Sequence, residues 1–203
     1  MNVQAAGTRT MGHASAPETP GDIPSIDWQG RPITAATCAD CAHADLQRDG
    51  ACAIGRSCMQ DAYARRIDRF FREHRARAAA HLEYPYFEVR AIAARHADLF
   101  HLPRLLEDPD ETVRLQVALR VPQRLLLRLR DDPHREVRIR VAQRIDLDGL
   151  CPMAGDPDYQ VRCIAAQRLP EALLPPLMQD PDLQVRLAVA RRVAMPAMWR
   201  LLD

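Results

Sequence analysis

The chain repeats itself every 24 residues over its C-terminal half. Asp-Pro recurs at Asp108-Pro109, Asp132-Pro133, Asp156-Pro157 and Asp180-Pro181, a spacing of 24. Val-Arg recurs at the same spacing of 24, at Val89-Arg90, Val113-Arg114, Val137-Arg138, Val161-Arg162 and Val185-Arg186. A second arginine column follows at Arg120, Arg144, Arg168 and Arg192, and an apolar column at Leu126, Leu150, Leu174 and Met198. A fixed period of this length predicts a solenoid, because one short unit cannot bury its apolar face except against its neighbours.

The chemistry of one unit predicts its shape. Asp is expected to cap a helix, with Pro in the first turn, where its missing N–H leaves nothing unpaired. The next acid, at Asp110, Asp158 or Asp182, suits the positive end of the helix dipole. Val113, Val117, Ala118 and Val121 then form an apolar stripe at helical spacing. Val137, Val141, Ala142 and Ile145 repeat it, as do Val161, Ala165, Ala166 and Leu169. A helix over Asp132 to Arg144 takes about half a unit, and a second helix of ordinary length (about 11–12 residues) does not fit the rest. A short 3₁₀ piece does, with Pro122, Pro170, Pro175, Pro176 and Pro196 in the connections. Few aromatics (5%) and 8 glycines also point to helix rather than strand. The expected fold class is an all-α solenoid, with Met198, Trp199, Leu201 and Leu202 as an apolar cap or contact surface at its far end.

Three regions are expected: a flexible tail over residues 1–25, a cysteine-rich module with a basic helix over 26–78, and the solenoid over 79–203. The module holds Cys38, Cys41, Cys52 and Cys58, and only Cys151 and Cys163 lie outside it. Clustered thiolates suit soft metal centres, namely iron–sulfur clusters, zinc or copper(I). No secretory leader or bilayer-spanning run is evident, so a cytoplasmic location is expected and no membrane partner. Thiols stay reduced there, which favours ligands over disulfides. Spacing alone leaves both iron–sulfur and a four-cysteine zinc site open. His43 is read as a surface residue, because four thiols already complete a site. Gly50 and Gly55 are read as turn-makers. Cys163 falls at the repeat position of Leu115, Ile139 and Leu187, and is read as a small core residue.

This cysteine spacing ahead of a 24-residue Asp-Pro-Asp-x-x-Val-Arg repeat resembles the leucine-rich repeat variant family. The resemblance implies a [4Fe-4S] cluster held by Cys38, Cys41, Cys52 and Cys58. It also implies α and 3₁₀ helices alternating in a right-handed superhelix, and a link to nitrogen fixation. Tyr84-Pro85 departs from the pattern, standing where other units have Asp-Pro.

All 28 basic side chains are arginine, and the net charge is +1. The chain is therefore not a polyanion binder by bulk charge. The Arg90, Arg114, Arg138, Arg162 and Arg186 column is read first as a ladder to aspartates such as Asp108 and Asp132. A phosphate-gripping stripe is the alternative. The stretch from Gln60 to Arg75 has a helical apolar face of Ala62, Tyr63, Ile67, Phe70 and Phe71. It also presents Arg65, Arg66, Arg69, Arg72 and Arg75 as candidate anion- or partner-binding residues. No catalytic constellation is visible, so no enzyme is expected. The reading is a redox- or iron-responsive scaffold for an unidentified protein partner. The alternative is a nucleic-acid-binding helical repeat with a structural metal module, zinc or iron–sulfur.

Overall fold

The computed structural model describes residues 23–193. Residues 1–22 of the expected tail, and the apolar group Met198, Trp199, Leu201 and Leu202, lie outside them. The described α-helices are α1 (Ala35–Ala39), α2 (Ala44–Arg48), α3 (Ala64–Glu73), α4 (Phe87–His96), α5 (Glu111–Ala118), α6 (Gln123–Leu126), α7 (Arg135–Arg144), α8 (Leu147–Leu150), α9 (Tyr159–Arg168) and α10 (Leu183–Ala190). Between the longer ones run 3₁₀ segments, including Leu99–Leu105, Leu127–Leu129, Cys151–Gly155 and Pro175–Gln179. Among the described residues there is no strand, only isolated bridges such as Asp27 with Asp61 and Ala53 with Ser57. The protein is thus an all-α repeat in which one full helix alternates with a short tight return.

The aspartate of Asp-Pro is not the helix cap, contrary to the sequence expectation. Asp108 Oδ1 accepts the Asp110 N–H at 2.9 Å, and Asp132, Asp156 and Asp180 do the same for His134, Asp158 and Asp182. The cap lies two residues later: Asp110, Asp158 and Asp182 each accept from a first-turn N–H. At α7 the cap is His134, with no side-chain bond. The first aspartate orients the turn, and its carboxylate is engaged by the neighbouring unit.

That engagement is a fork-to-fork ion pair. Arg114 Nε and Nη2 donate to Asp132 at 2.8 and 3.0 Å, while Nη1 donates to its own unit's Asp108 carbonyl at 2.7 Å. Arg90 with Asp108, Arg138 with Asp156, and Arg162 with Asp180 repeat the arrangement. The ladder reading of this column therefore holds, and its paired arginines are not available to phosphates. The second column works at the other helix end. Arg120 Nη1 donates to the Ala94 and Ala97 carbonyls at 2.5 and 2.7 Å, and Arg168 donates to Ala142 and Ile145 at 2.5 and 2.6 Å. Cations at carbonyls of a helix C-terminus offset its dipole.

Between the columns lies the core. Val113, Val117, Ala118 and Val121 are buried, as are their counterparts at 137, 141, 142 and 145. Leu126, Leu150 and Leu174 close the core from the short-helix side. Cys163 is buried among them, as expected.

The module docks on the first repeat helix as part of the same core. Ile67, Phe70 and Phe71 of α3 are buried in the apolar cluster that includes Val89 and Ile92 of α4. Trp28 stacks on Tyr86 with ring centroids 6.1 Å apart, and Asp68 accepts from Arg95 and His96 at 3.1 and 3.0 Å. α3 begins at Ala64 rather than Gln60, because Asp61 accepts the Tyr63 N–H and is bridged to Asp27. Arg75 falls past α3, in the 3₁₀ segment Arg75–His81. Ile23, Pro24 and Ser25, assigned to the tail by composition, are hydrogen-bonded to Arg66.

Removing Asp132 should cost more than removing an exposed acid. The Arg114–Asp132 side chains are 10% and 2% exposed, whereas Arg128–Glu107 are 51% and 84%. Asp132→Ala leaves a buried guanidinium without its carboxylate, a loss of about 3–5 kcal/mol. Glu107→Ala should cost less than about 1 kcal/mol. Urea denaturation followed by circular dichroism ranks the two, and equal losses would remove the ladder from the stability argument.

Hydrogen bonds from Arg162 hold the Asp180 carboxyl below the usual carboxylate range. Because the folded state binds that proton less readily, the pair's stabilisation is complete above about pH 4. It is lost as pH falls through the lowered value. Asp180→Asn should flatten that part of the acid-unfolding curve, and an unchanged acid limb would contradict the assignment.

Candidate metal centre

The four module cysteines converge through a series of short turns. Thr34 and Thr37 form a capping box that starts α1 and sets Cys38 within it. The Cys41 N–H donates to the Cys38 carbonyl at 3.2 Å, a tight turn that keeps the Cys-x-x-Cys pair together. After α2, Gly50 turns the chain with φ 69°. The Ala51 and Cys52 N–H groups both donate to the Leu46 carbonyl at 2.8 and 3.2 Å. Ala53 and Ser57 pair across a small loop whose Gly55 has φ 75°, which brings the chain back to Cys58. Positive φ makes glycine the natural residue at both turns, as the sequence suggested.

Cys38, Cys41, Cys52 and Cys58 line one narrow cavity with Ile33, Met59 and Phe70, and about 20 Å³ of it is free space. None of the described cysteines is in a disulfide. Burial pushes the Cys58 thiol up to about 11. Burial, then the neighbouring Cys41, raises Cys38, and burial first also raises Cys52. No cation dominates at these thiols, so a metal must itself supply the positive charge that ionises them. Among the described residues no three His, Cys, Asp or Glu side chains meet at a single-ion position.

His43 is buried, not on the surface as expected. It is 4% exposed and borders the same cavity. Its Nε2 lies 3.1 Å from His81 Nε2, and His81 Nδ1 lies 2.9 Å from the Arg77 carbonyl. Burial, with His81 and Arg77 nearby, pushes His43 down to about 4, so it is neutral near pH 7. No local pattern distinguishes such a histidine from a surface one, since its partner is 38 residues away.

The arginines of the basic stretch separate into two groups. Arg66 is committed to structure: it pairs with Asp61 at 3.0 Å and bonds to Ile23, Pro24 and Ser25. Arg65, Arg69, Arg72 and Arg75 are exposed. Arg65, Arg69 and Arg72 surround a cavity of about 270 Å³ between α3 and α4, with Asp68, Glu88 and Arg95 in its walls. A wider cavity of about 560 Å³ lies near Cys151, but its charged wall is the Arg162–Asp180 pair, already satisfied.

Comparison with known proteins places these features together. The description "LRV protein FeS4 cluster" matches residues 25–80, the span that holds all four cysteines. "Leucine rich repeat variant" matches residues 87–110 and 159–182. The solved structure of a leucine-rich repeat variant with a novel repetitive protein structural motif is similar at 41% identity and a TM-score of 0.77. The match covers 79% of this chain and 70% of that one. An uncharacterized 27.7 kDa protein in the nifB 3' region of Rhodobacter capsulatus is 46% identical over 97 residues. That stretch is 48% of this chain and 38% of the relative, so it spans well under half of the relative's length. No helix of the described residues is long and apolar enough to cross a membrane.

Proposed function

This chain belongs to the leucine-rich repeat variant family, and we propose that it is a [4Fe-4S]-binding scaffold whose arginine face docks an acidic protein partner. The observation that carries the first half is the lining of one cavity by four thiols inside the span matched by the FeS4 description. Cys38, Cys41, Cys52 and Cys58 would each hold one iron, and such a cluster supplies one-electron redox chemistry. A zinc ion needs four sulfurs converging at about 2.3 Å from one point. The FeS4 description matched over residues 25–80 favours the polynuclear group over zinc. The cavity is narrower than a cubane, and apart from Phe70 of α3 its walls are helices of five residues and loops, the elements of this chain that adjust most cheaply.

The second half rests on charge. Arg65 and Arg72 border a polar cavity and make no ion pair among the described residues, and Arg75 is exposed and likewise unpaired. Buried pairs absorb Arg90, Arg114, Arg138 and Arg162, and among the described residues the α3 face groups several arginines that no carboxylate pairs. Phe70 of α3 borders the cysteine cavity, while Arg69 and Arg72 flank it on the same helix. A change in the cavity walls therefore bears on the helix that displays the arginines, which supports a redox- or iron-responsive role. Neither matching family description names a catalytic activity. The placement of the Rhodobacter relative in the nifB 3' region supports a role connected with nitrogen fixation.

Metal and sulfide analysis of protein purified without oxygen tests the cluster. The expected result is about four irons and four acid-labile sulfides per chain and no zinc. One zinc and no sulfide would replace the reading with a structural clip. The nucleic-acid alternative retains the exposed arginines as its only grip. Titration with duplex and single-stranded oligonucleotides at low salt should show no binding. Tight binding that weakens steeply with salt would favour the alternative over a protein partner.

A further inference from the structure

The buried pair of His43 and His81 has a proton arrangement that its contacts determine. The Arg77 carbonyl can only accept, so His81 Nδ1, 2.9 Å away, carries the proton. A neutral His81 then has a bare Nε2, and His43 Nε2, 3.1 Å from it, must be the donor. The remaining His43 nitrogen, Nδ1, therefore bears a lone pair. That atom is buried and has no hydrogen-bond partner. The ring is packed against Phe70 at 5.0 Å and borders the cavity that the four cysteines line.

A buried acceptor without a donor is costly, and a lone pair left bare beside four thiols is free to take a metal. An imidazole whose far nitrogen is held by a second residue, itself anchored on a backbone carbonyl, has the arrangement of a metal-ligating histidine. The other soft-metal donors on this cavity are the four cysteine sulfurs and the Met59 thioether, and of these only the thiols ionise to bind iron as thiolates. We propose that His43 Nδ1 is a fifth metal donor of this cavity, held beside the four thiolates and able to take the iron that one of them leaves. This rests on the cluster reading above. Four thiolates suffice for four irons, so the imidazole engages only when a thiolate is lost. Replacing thiolate by neutral imidazole lowers the negative charge at the cluster and raises its potential.

The test uses full-length protein reconstituted without oxygen: wild type, the four variants Cys38→Ala, Cys41→Ala, Cys52→Ala and Cys58→Ala, and each combined with His43→Leu or His43→Gln. Iron and sulfide content reports the cluster. Pulsed electron paramagnetic resonance of the reduced state reports nitrogen bound to iron. The wild type should hold the cluster without nitrogen coupling. At least one Cys→Ala variant should keep iron and sulfide, show imidazole nitrogen coupling and have a higher reduction potential than wild type. Either His43 substitution should abolish that coupling and release iron from that variant, while circular dichroism of the repeats is unchanged. The proposal is overturned if no cluster-retaining variant shows nitrogen coupling, as expected of an imidazole that only accepts a hydrogen bond from a thiol. Coupling that survives both His43 substitutions, or cluster loss in all four cysteine variants, also overturns it. Wild type lacking iron and sulfide would overturn the cluster reading itself, and this proposal with it.

Discussion

The contact on which the rest of the structure depends is the arginine fork between consecutive units. Arg114 reaches its own unit's Asp108 carbonyl six residues back and the next unit's Asp132 carboxylate eighteen residues ahead. Those two separations together define the repeat length. An insertion or deletion in any connection would move the next aspartate off the fork. The same aspartate orients the turn into its own helix through the N–H two residues on, so a single carboxylate sets both the spacing of the units and the direction of each helix. Lysine has no planar fork with which to hold a carboxylate and a carbonyl together, which gives the absence of lysine at this column a physical basis.

Buried ion pairs are weak evidence of net stability, because desolvation offsets much of the attraction. Their strength is in register. The Val and Ala stripes are similar from unit to unit, and an apolar face alone tolerates sliding. A carboxylate left off its fork does not. The second arginine column adds an independent lock at the opposite end of each helix, donating to carbonyls 26 and 23 residues earlier. One helix is thus tied forward at its start and backward at its end, with the apolar stripe between. This explains how helices of eight to ten residues, too short to persist alone, stand in an ordered stack.

What the sequence disclosed and what it concealed divide along the distance over which each residue acts. The repeat length, the apolar stripe, the short return and the Asp–Arg pairing were all readable, because each is a periodic pattern repeated several times. The identity of the helix cap was not. Both Asp108 and Asp110 are good capping residues by propensity, and only the demand of Arg90 on the first decides between them. The module repeats nothing. The cysteines were visible as a cluster by residue type, and Gly50 and Gly55 by their turn chemistry. The role of Arg66 was concealed, because its partners Ile23, Pro24 and Ser25 lie more than forty residues away. His43 was concealed for the same reason, and a surface assignment followed naturally from four thiols being a full ligand set. Burial of a polar ring is a property of the packed module, not of its neighbours in sequence.

The geometry of α3 joins the two halves of the protein. Its Phe70 and Phe71 pack against His43 and His81 with ring centroids 5.0 and 5.4 Å apart, while Ile67 and Phe71 pack in the core shared with the first repeat. Its other side carries Arg69 and Arg72 into solvent beside α4. A ten-residue helix fixed at one end by Arg66 and along one face by aromatic packing behaves as a rigid lever. It does not absorb strain along its length as a loop would. The cavity wall and the first repeat are joined at the α3–α4 junction, where Asp68 links Arg95 and His96 to the module. The repeat array beyond α4 is tied twice per unit, by the Arg–Asp fork and by the arginine at the helix end. The module thus meets the array through α3 and α4, and beyond them the arginine forks set the spacing of the units.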